Sequence, residues 1–99
     1  MKRHLRFSAR AWREIDRGST WWRRHRDKAP DAFDIDVDAA IDLIRSNPHI
    51  GTPTRARRLG VRTLWLERIG YHLYYVEISD ELVEVLALWH ASRGSRPKL

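Results

Sequence analysis

The chain has no cysteine among its 99 residues, so neither disulfides nor thiolate metal sites hold it together. That fits a reducing compartment such as the cytoplasm. Lysine is scarce, confined to Lys2, Lys28 and Lys98, so the positive charge is carried almost wholly by arginine. Long apolar runs are missing too. The longest, residues 85–89, is far too short to span a bilayer. The basic start, Met1-Lys2-Arg3-His4-Leu5-Arg6, leads into no apolar stretch, so no signal peptide is expected. The histidines at 4, 25, 49, 72 and 90 form no pair at a spacing of three or four, which argues against a metal site. No cofactor is expected.

What is present is charge, unevenly placed. The net charge is +6. Asp31, Asp34, Asp36, Asp38 and Asp42 crowd one segment without Lys or Arg. Arg45, Arg55, Arg57, Arg58, Arg62 and Arg68 follow, opposed there only by Glu67. A basic surface of this kind attracts nucleic acid or an acidic protein, or is simply solvated.

The periodicities give an order of elements. Leu5 and Phe7 alternate with His4 and Arg6 as a short strand. Ser8 can cap a following helix, whose Trp12, Ile15, Ser19 and Trp22 fall on one face. This reading places Trp12 and Trp22 in the core and leaves Trp21 more exposed. Gly18 weakens that helix by about 1 kcal/mol relative to alanine and allows a kink near residues 18–20. Pro30 suits the first turn of a second helix, in which Phe33, Val37, Ala40, Ile41 and Ile44 form the apolar stripe. Asn47-Pro48 ends it. A loop over residues 49–60 leads to strand text from Val61, a hairpin turn at Gly70, a strand over 71–78 and a last strand over 82–89. The last is apolar on both faces apart from Glu84, and is expected inside the sheet. The prediction is an α+β domain over residues 1–99, β-α-α-β-β-β, with a helical hairpin packed on an antiparallel meander. Residues 94–99 read as a polar, flexible tail.

Several short segments in this order carry a resemblance. They are Phe7-Ser8-x-x-Ala11, Asn47-Pro48-x-x-Gly51, Val61-Arg62, Tyr71-His72-Leu73-Tyr74-Tyr75 and Leu88-Trp89-His90-x-x-Arg93. Together they resemble the RelE/ParE family of toxins from type II toxin–antitoxin pairs, and the Trp-His-x-x-Arg ending looks more like the ParE branch. The resemblance implies a cytoplasmic toxin that inhibits growth by poisoning DNA gyrase and is neutralised by a cognate antitoxin protein bound in a hetero-oligomer. The RelE branch instead implies a ribosome-dependent mRNA endoribonuclease, with ribosome and mRNA as partners. A decayed toxin that only binds its antitoxin is a third implication.

The chemistry separates these in part. Cleavage through a 2′-hydroxyl needs a base, an acid and cations for the phosphorane. The RelE branch draws on lysines and commonly a C-terminal tyrosine. Here no lysine lies between Lys28 and Lys98 and no tyrosine follows Tyr75, so a non-enzymatic inhibitor is the expectation. If the chain is a nuclease, His90 is the proton donor and Arg62, Arg68 and Arg93 hold phosphate. If it is a binding toxin, His90, Arg93 and Arg96 contact the target. The alternative for His90 is a rim histidine that caps the strand end by hydrogen bonding. Arg62, Arg68 and Trp21 are candidate antitoxin contacts, with Arg62 also expected to pair with an aspartate of the second helix.

Overall fold

The computed structural model describes residues 2–99. Its elements are β1 (His4–Phe7), α1 (Ala9–His25), α2 (Ala32–Ser46), β2 (Thr52–Pro53), β3 (Val61–Leu66), β4 (Tyr71–Glu77) and β5 (Leu82–His90). The strands form one sheet in the order β1-β5-β4-β3-β2. β1 lies parallel to β5, and the remaining neighbours are antiparallel. The α+β prediction and the internal position of the last strand both hold. The short β2, pairing Thr52 with Thr63 and Pro53 with Arg62, adds an edge strand within what reads as loop.

Ser8 links three of these elements. Its hydroxyl accepts the Ala11 amide at 3.0 Å, capping α1, and donates to the Leu86 carbonyl at 2.9 Å. Leu86 is the extra residue of a bulge, because Tyr75 pairs with Val85 while Tyr74 pairs with Ala87. A bulge frees a carbonyl from the ladder, and the capping serine occupies it.

The helix reading needs three corrections. α1 runs unbroken through Gly18. Its inward face is Ala11, Ile15, Gly18 and Trp22, and Trp12 is 63% exposed. The apolar stripe is therefore turned by one position from the one expected. Small residues at 11 and 18 let the helix approach closely. A β-carbon at Gly18 would sit 2.4 Å from Cζ of Phe33, itself fully buried on α2. Trp12 instead covers the end of β1, edge-on to Phe7 at 5.5 Å. The second helix begins at Ala32, with Pro30 in the preceding turn and not in the first helical turn.

Both helices cover one face of the sheet, where Leu73, Tyr75, Val83, Val85 and Leu88 meet Phe33, Val37 and Ile44. Arg23 ties the hairpin together, pairing with Asp31 at 2.9 Å and with Asp34. The second face carries a smaller apolar cluster of Val61, Tyr74, Val76, Leu86 and Ala87. Residues 94–99, expected as a tail, turn back over this face. Trp89 Nε1 donates to the Ser95 carbonyl at 2.6 Å, Arg10 donates to the Lys98 carbonyl at 3.1 Å, Pro97 is buried, and Leu99 joins the cluster. Among the described residues no helix is long and apolar enough to cross a membrane.

Candidate functional site: a cationic cleft at the end of the sheet

The antiparallel register sets the cleft's floor. Thr63 faces Tyr74 across β3 and β4, and His72 faces Trp89 across β4 and β5. These side chains share the face away from the helices. The segment after β5 and the loop around β2 rise on either side. The result is a cleft of about 640 Å³, with Thr63, His72, Tyr74 and Trp89 below and Arg55, Arg93 and Arg96 on its walls. Among the described residues no Asp or Glu lines it, and Thr63 Oγ1 and His72 Nδ1 are buried and meet no hydrogen-bond partner.

The three residues expected at the target-binding edge, His90, Arg93 and Arg96, come together in this cleft. His90 stands at the last position of β5. Its Nδ1 accepts the Ser92 amide at 3.1 Å and lies 2.6 Å from the Ser92 hydroxyl. An accepting Nδ1 places the ring proton of the neutral imidazole on Nε2. The Tyr71 ring meets the imidazole edge-on at 4.9 Å. Burial raises the Tyr71 phenol's pKa above its ordinary value, which the nearby Arg93 charge partly opposes. Arg93 lies 4.1 Å from the Trp89 ring centroid, and Arg10 lies 5.1 Å from the same ring. A cation–π contact of this kind restricts the guanidinium while leaving its donors free.

The three expected antitoxin contacts fall in two places. Arg68 and Trp21 border a groove of about 460 Å³ between the end of α1 and the β3–β4 turn. Trp21 is 44% exposed and stacks on His25 at 4.5 Å. Arg68 binds Asp36 of α2 through two bonds of 2.9 and 2.6 Å, and that hydrogen-bonded partner raises its already high pKa. Arg62 is elsewhere. The expected aspartate pairing does not form; its guanidinium donates to the carbonyls of Gly51 at 2.8 Å and His49 at 3.2 Å. Register explains this. Arg62 pairs with Tyr75, whose hydroxyl donates to the Pro48 carbonyl and accepts the Gly51 amide, both at 2.8 Å. Both side chains anchor the α2–β2 loop.

Sequence reasoning missed Arg55, Thr63, His72, Tyr74 and Trp89 as cleft residues. Strand alternation could have put Thr63, His72 and Tyr74 on a common face. Arg55 belongs to a basic loop with Arg57 and Arg58 that has the composition of a phosphate-binding loop but no Gly-rich nest, which argues against nucleotide binding there. Among the described residues no group of three His, Cys, Asp or Glu side chains is placed to hold a metal ion.

The helical hairpin thus lies on one face of the mixed sheet and the cationic cleft on the other. A chain of the chromosomal ParDE TA system from P. aeruginosa superposes with a TM-score of 0.70 at 18% identity, covering 92% of this chain and 98% of that one. The E. coli DinJ-YafQ toxin-antitoxin complex matches at 0.66 and 16% identity, covering 91% and 93%. The YoeB dimer from Staphylococcus aureus matches at 0.61 and 13% identity, covering 91% and 98%. No curated protein sequence matches the chain. The family model for the ParE toxin of type II toxin-antitoxin system, parDE, matches residues 5–94. The chain belongs to the ParE toxin family.

Proposed function

We propose that this toxin stops growth by poisoning DNA gyrase in the cytoplasm and is held inactive by a cognate antitoxin. The observation that carries the reading is the ParE family match over residues 5–94. The geometry of His90 supports it. Nδ1 is engaged by Ser92, and the groups around the ring are Tyr71 and Arg93, which leave a contact surface more than an acid–base pair. The antitoxin reading rests on the same family and on charge. An acidic segment that folds on binding would find Trp21, Arg26 and Arg68 along one groove.

The cleft gives specific support to a second reading, an mRNA endoribonuclease. It gathers His72 and His90 with Arg55, Arg93 and Arg96, the residue types that phosphodiester cleavage uses. Arg62 and Arg68 lie outside it and drop out of that mechanism. Purified toxin added to a gyrase supercoiling assay and to a translating extract separates the two. Inhibited supercoiling with intact mRNA is the expected result. Discrete cuts in the message with unimpaired supercoiling would replace the first reading by the second.

A further inference from the structure

Residues 94–99 have little apolar surface with which to order themselves. Pro97 is buried and Leu99 joins the cluster on the second face, but two side chains do little against the entropy of fixing the whole segment. Polar contacts therefore decide where it lies. The Trp89 indole donates to Ser95 at 2.6 Å, Arg10 to Lys98 at 3.1 Å and the Arg58 amide to Leu99 at 3.4 Å. Each bond takes a main-chain carbonyl. None uses Arg96, whose exposed side chain is left to the cleft wall beside Arg93.

Of these donors Arg10 alone comes from a helix. It stands in the first turn of α1. β1 ends at Phe7, opposite Val85, so no strand lies beside the last residues of β5. Glu14 and Arg10 fill that gap. Glu14 accepts the Leu88 amide on one oxygen at 3.0 Å and Arg10 Nε on the other at 3.5 Å. Held in this way, the Arg10 guanidinium reaches the Lys98 carbonyl and lies 5.1 Å from the Trp89 ring centroid. Its donors form a rigid planar fork, so one group serves a carboxylate, a carbonyl and a ring together. Arg93 lies 4.1 Å from the same ring. Trp89 is thus the point at which the tail, Arg93 and Arg10 meet. Arg10 itself does not line the cleft; it holds residues that do.

We propose that Arg10 is a positioning residue for the target-binding edge. It latches residues 94–99 against Trp89 and thereby sets Arg96 beside Arg93. This rests on the reading of the rim as the surface that meets the target. A free tail would have to be ordered when the target binds, at a cost in affinity, whereas a latched tail presents Arg96 already in place.

The test joins two measurements on the purified toxin. The first is ¹⁵N relaxation and hydrogen exchange, which need no target. In Arg10→Met the amides of Ser95, Arg96, Lys98 and Leu99 should fall from rigid order parameters to below about 0.6, and the Trp89 indole proton should exchange faster. The Trp22 indole, bonded to the Ala29 carbonyl at 2.8 Å in the helical hairpin, should not change. Arg10→Lys keeps the charge without the fork and should lie between parent and Arg10→Met. Arg13→Met, at an exposed position of the same helix, should leave the tail rigid. The second measurement is activity in the assay that the parent answers, supercoiling or mRNA cleavage. Arg96→Gln should weaken it about tenfold or more. Arg10→Met should approach that loss, and the double variant should lose no more than Arg96→Gln alone, because Arg10 acts through Arg96. A tail that stays rigid in Arg10→Met would overturn the latch. Additive losses would mean that Arg10 touches the target directly, and would overturn the positioning role. So would parent-like activity in Arg10→Met with a mobile tail and an impaired Arg96→Gln. Parent-like activity in Arg96→Gln would instead overturn the rim reading, and the role of Arg10 with it.

Discussion

Glu14 of α1 accepts the main-chain amide of Leu88 at 3.0 Å. β1 ends opposite Val85 while β5 continues to His90, so this amide points where no strand lies. The helix carboxylate replaces the missing partner and leaves the end of β5 clear for the site. Removing it strands a part-buried donor, which costs about 1–3 kcal/mol. Glu14→Ala should lose that much in urea denaturation, and Glu14→Gln, which keeps an acceptor, clearly less. Equal losses in both variants would refute the role.

Gly18→Ala sets two effects against each other. Helix propensity favours alanine by about 1 kcal/mol. The new β-carbon would press on Phe33 at 2.4 and 2.6 Å, and overpacking a buried contact costs about 1–3 kcal/mol. Phe33 is 1% exposed and has little room to yield. The melting temperature should fall, and Gly18→Ala/Phe33→Leu should recover part of the loss relative to Phe33→Leu alone. A rise in the single variant would contradict the packing.

Tyr75→Phe should destabilise the fold by about 1–3 kcal/mol, because it leaves the Gly51 amide and the Pro48 carbonyl without their shared partner. The effect should appear locally as well. Amide exchange at Gly51 should accelerate by more than exchange at Leu73 in the same strand. Uniform acceleration would mean that the hydroxyl does not anchor the loop.

Glu77 makes stability depend on pH. Its carboxylate takes a hydrogen bond from His49 at 2.9 Å and another from Arg3 at 2.7 Å. The His49 bond chiefly, with Arg3 adding, holds its pKa below the ordinary 4.5, against partial burial. A lowered folded-state pKa gives stability that is present above the unfolded value and is lost as pH falls through the folded one. The urea midpoint should therefore decline on acidification from about pH 5 to pH 3, and Glu77→Gln should flatten that decline. An unchanged slope in the variant would rule the pair out.

Arg93 tests where the toxic surface lies. Its guanidinium is exposed and rests on Trp89, an interaction of about 0.5–1 kcal/mol at such a site. Arg93→Ala should fold with no greater loss than that, yet reduce killing in a growth assay by about tenfold or more. Arg93→Lys keeps the charge and should retain part of it. Full toxicity in a folded Arg93→Ala protein would remove the rim from consideration.

The sequence by itself determined the order of every element but the two-residue β2, because helix and strand periods are local consequences of backbone geometry. The two-sided apolar text of β5 marked it as internal, and the stop at His90 and Arg93 marked the rim. The tertiary structure decided which partners those elements met. α1 turned Ala11 and Gly18 inward in place of Trp12 and Ser19, since Phe33 from the other helix needed the space. Arg62 took loop carbonyls while Arg68 took the aspartate, according to which end of the meander each occupied. The cleft itself is assembled from Arg55, Thr63, His72, Tyr74 and the segment after β5. Those residues meet only through strand register and the path of the folded-back chain, and both depend on contacts between positions far apart in sequence.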